Sequence, residues 1–274
     1  MFCCSKTYIE AEQAPNEEAL KHNGPKIALC PDWRKKKGKF WYFKPIIQYY
    51  RDVVKQLGGA LIVLGFEDTP EQWKDRIDGL IIPGGRDIDP KFYGQENLHS
   101  SFNPQDAELR WNFCSRFIKD GNPMMPILGV CYGFQVINCV LGGDMVQTIG
   151  SRSHYKKRLQ TIKPGSFLER ATGMSEIKCT CYHHQKLGRM PDCLQPTAWD
   201  KTDQMIHAFE YVGADKRPIY GVLWHPEACY AGDKMENHDP YQLAIYNEFI
   251  QICSKYAQER KQPAGERVIT KSKL

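Results

Sequence analysis

One cysteine of this 274-residue sequence stands in a setting that suits nucleophilic chemistry. The stretch PILGVCYGFQVIN places Cys131 between Gly129 and Gly133, after an apolar run and before a segment with helical periodicity. Small residues at these positions let a strand turn sharply into a helix, and the positive end of the helix dipole favours a thiolate over a thiol. We therefore predict a nucleophile elbow at Cys131, with a buried structural cysteine as the alternative for the pentapeptide alone.

A base and a partner for that base occur together in the segment IYGVLWHPEACY. His225 follows an apolar run, and Glu227 lies two residues further, on the same side of an extended chain. The imidazole can take the thiol proton and return it to a leaving group, while the carboxylate holds the imidazole tautomer. An ordinary turn explains His-Pro-Glu taken alone. Because sites in parallel sheets gather beyond the C-terminal strand ends, we expect these residues to meet Cys131 there.

Acyl transfer by such a cysteine also needs hydrogen-bond donors for an oxyanion. The backbone N–H of Tyr132, the residue after the cysteine, is one candidate. A second lies in IIPGGRD, where Gly84 and Gly85 follow another apolar run and allow a carbonyl oxygen to approach the backbone closely. A glycine-rich turn without a ligand is the simpler explanation of that pair by itself.

The elements that must position these residues alternate along the first half of the chain. Apolar runs predict strands at KIALC, ALIVLG, DGLIIPGG and MMPILGV, with helical patterns between them. The second half has short strands separated by turns, closed by the amphipathic helix DPYQLAIYNEFIQICSKYAQER. We predict a three-layer α/β/α fold with a mostly parallel central sheet and an antiparallel strand extension. The expected organisation is a flexible lead-in over residues 1–24, one domain over 25–258 and a flexible tail over 259–274.

Composition narrows the class of protein. A net charge of +5 is too mild to predict nucleic-acid binding, and no apolar stretch reaches the roughly 20 residues of a membrane span. Eleven cysteines without regular spacing predict reduced thiols rather than a disulfide framework. The terminal Ser272, Lys273 and Leu274 are typical of a peroxisomal import address, so we expect an import receptor as partner and a peroxisome-like organelle, or otherwise the cytoplasm.

Five blocks in order, PGGRDIDPKFYG, GVCYGFQVINCVLGGDMVQ, CYHHQ, AFEY and GVLWHPE, resemble the class I glutamine amidotransferase superfamily. The resemblance is closest to its γ-glutamyl hydrolase branch, peptidase family C26, which includes γ-glutamyl-γ-aminobutyrate hydrolase. It covers roughly residues 26–255 and implies the flavodoxin-like fold of that superfamily.

The resemblance implies Cys131 as nucleophile, His225 as base and Glu227 as its partner, with the Gly85 and Tyr132 amides as the oxyanion hole. Many relatives carry arginine at the position of Tyr132, which bears on leaving-group preference. The residues implied at the glutamyl end of the substrate, some through backbone alone, are Gly84, Gln135, His183, His184 and Gln185.

The expected activity is hydrolysis of a small γ-glutamyl amine or peptide through a γ-glutamyl thioester, without metal or organic cofactor. The alternative is a glutaminase subunit that delivers ammonia to a separate synthetase, because the chain has no G-x-x-x-x-G-K-[ST] loop for an acceptor domain. A non-catalytic binding protein is the least favoured hypothesis. Neither nucleic acid nor membrane is expected as a partner, and a homodimer is left open.

Two other segments invite different hypotheses. CTCYHH, residues 179–184, holds four ligand-type side chains, but its C-x-C spacing is tighter than zinc loops use and adjacent histidines rarely share an ion, so metal binding is disfavoured. RKKKGKFWYFK, residues 34–44, mixes cations with aromatics. We expect a solvated basic loop there, near the rim of the site, followed by aromatics that open the next helix.

Overall fold

The structure is a computed structural model that describes residues 16–30, 33–36, 39–42, 44–150, 157–227 and 240–261, with secondary structure alone for 33–46. The predicted import address at residues 272–274 and most of the predicted tail lie outside these ranges.

A nine-stranded sheet in the order β4-β1-β5-β6-β13-β12-β11-β8-β9 forms the centre of the fold. The first five strands in this order pair in parallel, and the other four extend the sheet antiparallel, as predicted. Its strands are β1 (Lys26–Leu29), β4 (Ala60–Val63), β5 (Gly79–Ile82), β6 (Ile127–Val130), β8 (Lys157–Ile162), β9 (Glu176–Thr180), β11 (Leu194–Asp200), β12 (Ile206–Tyr211) and β13 (Ile219–Val222). Two smaller antiparallel pairs join β2 (Trp33–Lys36) to β3 (Lys39–Tyr42) and β7 (Met145–Val146) to β10 (Lys186–Leu187).

Helices cover both faces of the sheet. They are α1 (residues 16–20), α2 (Lys44–Gln56), α3 (Pro70–Trp73), α4 (Pro104–Lys119), α5 (Tyr132–Val140), α6 (Phe167–Thr172) and α7 (Pro240–Lys261), with a 3₁₀ turn at Pro90–Tyr93. None of the helices among the described residues is both long enough and apolar enough to cross a membrane.

The central strands are buried on both sides, which explains their continuous apolar runs. In β5, Ile81 belongs to the core shared with α2 and α7, whereas Leu80 and Ile82 belong to the core shared with α4 and α5. Successive side chains of a strand point to opposite faces, so the short run GLII fills two cores at once. The result is the predicted three-layer arrangement.

The prediction for the basic segment was wrong in one respect. Residues 33–36 and 39–42 form an antiparallel hairpin, and α2 begins only at Lys44, so the aromatics belong to β3 and do not open the helix. Strand alternation competes with helical periodicity over so short a segment.

Within the predicted lead-in, the side chain of Asn16 accepts from Val63 N and donates to Val63 O, which attaches α1 to the edge strand β4.

Candidate active site

Cys131 lies at a sharp turn between β6 and α5. Its backbone has φ 51° and ψ −100°, a conformation that side-chain-bearing residues rarely adopt. The turn depends on both flanking glycines, because a Cβ at Gly133 would lie 2.0 Å from the carbonyl oxygen of Ile82 and one at Gly129 2.5 Å from the Gly133 backbone. The predicted elbow is therefore present as a strained strand-to-helix turn.

His225 and Glu227 follow β13, the strand that pairs with β6. The imidazole Nδ1 lies 2.7 Å from Glu227 Oε1, and Glu227 is 3% exposed. Tyr246 of α7 donates its hydroxyl to the other carboxylate oxygen at 3.3 Å. Because a carboxylate accepts only, Nδ1 carries the proton and Nε2 is the basic nitrogen.

The thiol and the imidazole meet across the glycine loop that follows β5. The Cys131 side chain lies close enough to His225 to raise the pKa of its imidazole. A Cβ added to Gly84 would lie 2.7 Å from His225 Cε1 and 3.6 Å from Cys131 Cβ, so a glycine is required between the two groups. Parallel strands that end at the same edge of the sheet thus bring together residues 94 positions apart, at 131 and 225.

The electrostatic setting favours a charged imidazole. Burial alone would lower the pKa of His225, but the neighbouring Cys131 and Glu227, through charge and hydrogen bonds, raise that pKa well above its ordinary value. Elsewhere among the described cysteines burial dominates, and it raises the pKa of Cys114, Cys139, Cys181 and Cys253. Without a bound cation, burial therefore favours the protonated thiol at these four positions.

The candidate oxyanion donors belong to two segments that lie next to Cys131. Tyr132 N belongs to the first residue of α5, while Gly84 and Gly85 lie in the loop after β5. Arg110 of α4, buried at 5% exposure, donates from Nη2 to Pro83 O at 2.7 Å and to Gly84 O at 3.1 Å. A Cβ at Gly85 would lie 1.7 Å from Arg110 Nη1, so the guanidinium packs directly on this loop.

The residues expected at the glutamyl end of the substrate do not all present their side chains outward. Gln135 is buried one helical turn past Cys131, and its N–H donates to Cys131 O at 3.1 Å. Gln185 is buried and donates to Ser100 Oγ at 2.9 Å and to Gln147 O at 3.2 Å. The His183 side chain is also buried, so this segment would contact a substrate through its backbone.

His184 is the partly exposed member of the His-His-Gln segment. Its Nε2 lies 3.0 Å from Asp87 Oδ2, which also accepts from Ser101 N at 2.7 Å. Asp87 therefore joins the loop after β5 to the loop after β9. The neighbouring Tyr182 is 52% exposed, and its ring centroid lies 5.8 Å from that of His225.

Sequence reasoning missed three residues that support the site. Asp87 belongs to the block PGGRDIDPKFYG, but no role was assigned to it. Arg110 is a lone cation on the buried face of α4. Tyr246 has the pattern of an ordinary core residue of α7. A cation at a buried helix position was the one signal available. Their roles depend on contacts 19 to 97 residues apart, which local patterns do not encode.

A thiol at a strained elbow, a carboxylate-held imidazole and a glycine loop beside both are the parts of an α/β enzyme of the cysteine-dependent amidotransferase and hydrolase class. The family model of peptidase C26 matches residues 28–227, and the chain belongs to that family, within the class I glutamine amidotransferase-like superfamily.

Similar proteins agree with that class. The Mycobacterium tuberculosis protein Rv2859c, named as a proposed glutamine amidotransferase, is 32% identical to this chain. The alignment covers 78% of this chain and 69% of that protein. A glutamine-hydrolysing GMP synthase subunit from Archaeoglobus fulgidus is 28% identical over 68% of this chain and 82% of its own. A crystal structure from Thermoplasma acidophilum, described as a proposed GMP synthase subunit, matches with TM-score 0.63 at 22% identity, over 88% of this chain and 100% of that one, and shows the shared fold.

Proposed function

We propose that the protein hydrolyses γ-glutamyl amide bonds, with Cys131 as nucleophile, His225 as general base and acid, and Glu227 as the partner of His225. The observation that carries the proposal is the strained Cys131 turn, which lies beside the His225 imidazole across Gly84, while Nδ1 of that ring lies 2.7 Å from Glu227 Oε1. Membership of the peptidase C26 family supports the γ-glutamyl substrate class.

In this mechanism His225 Nε2 holds the proton taken from the Cys131 thiol while the sulfur attacks the γ-carbonyl carbon. The resulting oxyanion accepts hydrogen bonds from the Tyr132 and Gly85 amides. His225 then protonates the departing amine, the C–N bond breaks and a γ-glutamyl thioester remains on Cys131. A water molecule deprotonated by His225 attacks the thioester, glutamate leaves, and the proton returns to sulfur.

The substrate's glutamyl end would lie against Gln135 and the backbone of residues 183–185, with Gly84 beside the reacting atoms. The leaving amine would then face the rim formed by Tyr182 and the His184–Asp87 pair. This placement supports a small amine or peptide leaving group, because the rim is partly exposed.

The test is amine release from a panel of γ-glutamyl amides by the purified chain without any added protein. We expect steady turnover, its loss in Cys131→Ala, and its retention in Cys139→Ala, a matched variant of a buried thiol outside the site. Acid quenching of the slow variant His225→Asn should trap the γ-glutamyl thioester on Cys131 for peptide mass mapping. Turnover that survives Cys131→Ala would refute the nucleophile.

The second candidate is a glutaminase subunit that supplies ammonia to a synthetase, favoured by the likeness to a GMP synthase subunit. It predicts glutamine hydrolysis that is negligible for the chain alone and rises on addition of a synthetase. Turnover of γ-glutamyl amides larger than glutamine, without a partner, contradicts this candidate.

A further inference from the structure

A second cluster of reactive side chains lies outside the proposed triad. Its members are Cys181 and His183, in the segment after β9, and His207, on β12. That segment crosses toward β13, where the His225 N–H donates to Thr180 O at 3.2 Å, and His207 O accepts from Leu223 N at 2.8 Å. The sheet extension thus folds three ligand-type residues from two separate segments into one place.

The three side chains come close to one another in the protein interior. Cys181 Sγ lies 3.9 Å from His207 Nδ1, and Sγ with one ring nitrogen from each histidine falls within 4.8 Å. Exposed fractions are 0% for Cys181, 3% for His183 and 0% for His207. We propose that this cluster is a binding site for one borderline-soft divalent transition-metal ion, with Zn²⁺ as the reference ion.

The geometry is near that of a three-ligand zinc site. Tetrahedral coordination at the usual Zn–S and Zn–N lengths separates ligand atoms by roughly 3.3–3.7 Å. The Sγ–Nδ1 distance already approaches this spacing, and side-chain rotations of about 1 Å close the widest gap. One thiolate and two imidazoles are a donor set that suits zinc and cobalt and disfavours magnesium and calcium.

The orientation of His183 supports coordination. Its Nδ1 lies 2.9 Å from Gln185 O, and since a carbonyl oxygen accepts only, Nδ1 carries the proton and the lone pair is on Nε2. Metal-binding histidines show this pattern, because a backbone carbonyl fixes both tautomer and ring orientation.

The surrounding charges suit a divalent ion. Asp200, 0% exposed, and Asp203 both bind the guanidinium of Arg158, and all three charges act on Cys181. With the Cys181 thiolate, these two carboxylates and one guanidinium together balance a charge of two. A buried ion therefore adds no uncompensated charge to the interior.

This site lies outside the proposed catalytic triad, although His183 belongs to the expected glutamyl-binding segment. The ion would join β12 to the segment that carries His184 and Gln185, and so hold the expected glutamyl-binding loop. Sequence spacing disfavoured a metal because C-x-C is tighter than zinc loops use and adjacent histidines rarely share an ion. In the structure Cys179 Sγ accepts from Gln242 at 3.6 Å, and the third ligand is the distant His207.

The test uses the full chain without an affinity tag, in a Cys131→Ala background so that the catalytic thiol cannot bind the ion. Titration of Zn²⁺ against a chelating indicator should show one ion per chain. Cys181→Ser in that background should weaken binding by more than the 10–100-fold typical of losing an outer-shell partner. Cys179→Ser, the matched control, should retain it.

Cobalt supplies a spectroscopic readout. Co²⁺ bound by the Cys131→Ala chain should show a thiolate-to-cobalt charge-transfer band that Cys181→Ser abolishes. His207→Cys should keep one ion per chain and increase the band, which tests the site even if Cys181→Ser fails to fold. A chain that binds neither ion, or a folded Cys181→Ser variant that binds as tightly as its parent, would overturn the proposal.

Discussion

The guanidinium carbon of Arg110 lies 3.9 Å from the centroid of the Tyr132 ring, while its Nη2 binds the carbonyl oxygens of Pro83 and Gly84. One cation from α4 thus links the residue after Cys131 to the glycine loop after β5. The C=O and N–H of a trans peptide point in opposite directions, so a hydrogen bond to Gly84 O aims the Gly85 N–H away from Arg110. We expect this orientation to direct the Gly85 N–H toward the proposed oxyanion.

Arg110→Met should therefore reduce kcat by about 10²–10³-fold with little change in KM, the effect of losing one oxyanion donor. Arg110→Lys keeps the charge but loses the planar fork, so we expect an intermediate kcat. Steady-state kinetics on a γ-glutamyl amide measures both. Tyr132→Phe retains the ring under the guanidinium and is the control, with kcat within a few-fold of wild type. A folded Arg110→Met enzyme with unchanged kcat would exclude the orienting role.

Gly84→Ala should move His225 relative to Cys131, because the new methyl would lie 2.7 Å from Cε1 of the imidazole. A displacement of about 1 Å at the reacting groups costs on the order of 10²-fold in rate. We expect that loss in kcat while the melting temperature stays close to wild type, measured by calorimetry on the same preparation. Wild-type activity would show that the loop and the imidazole are not in contact.

Glu227→Gln should lower the pKa of His225, because burial opposes the imidazolium and one of the two groups that favour it is lost. NMR titration of the His225 ring measures the change, and Tyr246→Phe, which removes only a 3.3 Å hydrogen bond to Glu227, should shift the pKa less.

The His225–Glu227 pair should also make the free energy of unfolding depend on pH. A histidine whose pKa is raised on folding adds its full contribution to the free energy of unfolding when the pH is below its ordinary pKa of 6.5. That contribution is lost as the pH rises through the folded-state pKa. Wild type and Glu227→Gln should accordingly differ most in free energy of unfolding at mildly acidic pH. A difference that grows with pH would contradict the assignment.

The buried pair of Arg158 and Asp200 predicts an opposite pH dependence. Burial would raise the pKa of Asp200, but hydrogen bonds from Arg158 and from Thr202 N hold it at about 2. A carboxyl group whose pKa is lowered on folding stabilises the fold at pH values above its unfolded-state pKa, near 3.8. That stabilisation is lost as the pH falls toward 2.

Asp200→Asn should therefore cost about 3–5 kcal/mol at neutral pH, because it removes the buried carboxylate of Arg158 and leaves only the partly exposed Asp203. Denaturant unfolding at several pH values measures the cost, which should shrink in acid. Glu176→Gln, at an exposed ion pair with Lys201, is the control, with a cost of about 0–1 kcal/mol. Equal losses in the free energy of unfolding at the two sites would show that burial does not set the contribution of the Arg158–Asp200 pair to stability.

The elements that position the candidate site could be predicted from sequence because each has a strong local pattern. GLII and ILGV are apolar over their whole length, as strands buried on both faces must be, and Gly129 and Gly133 mark a turn that no larger residue allows. The hairpin at residues 33–42 could not be predicted with equal success, since a short aromatic segment fits a strand or a helix.

By itself, the sequence determined the alternation of central strands and helices, the elbow at Cys131 and the spacing of His225 and Glu227, because these depend on backbone sterics and residues close in the chain. The tertiary structure alone decided that Arg110 packs on the Gly84–Gly85 loop and that His207, rather than Cys179, lies beside Cys181. Such pairings arise when strands far apart in sequence meet in one sheet, and side-chain direction there is set by packing across the whole core.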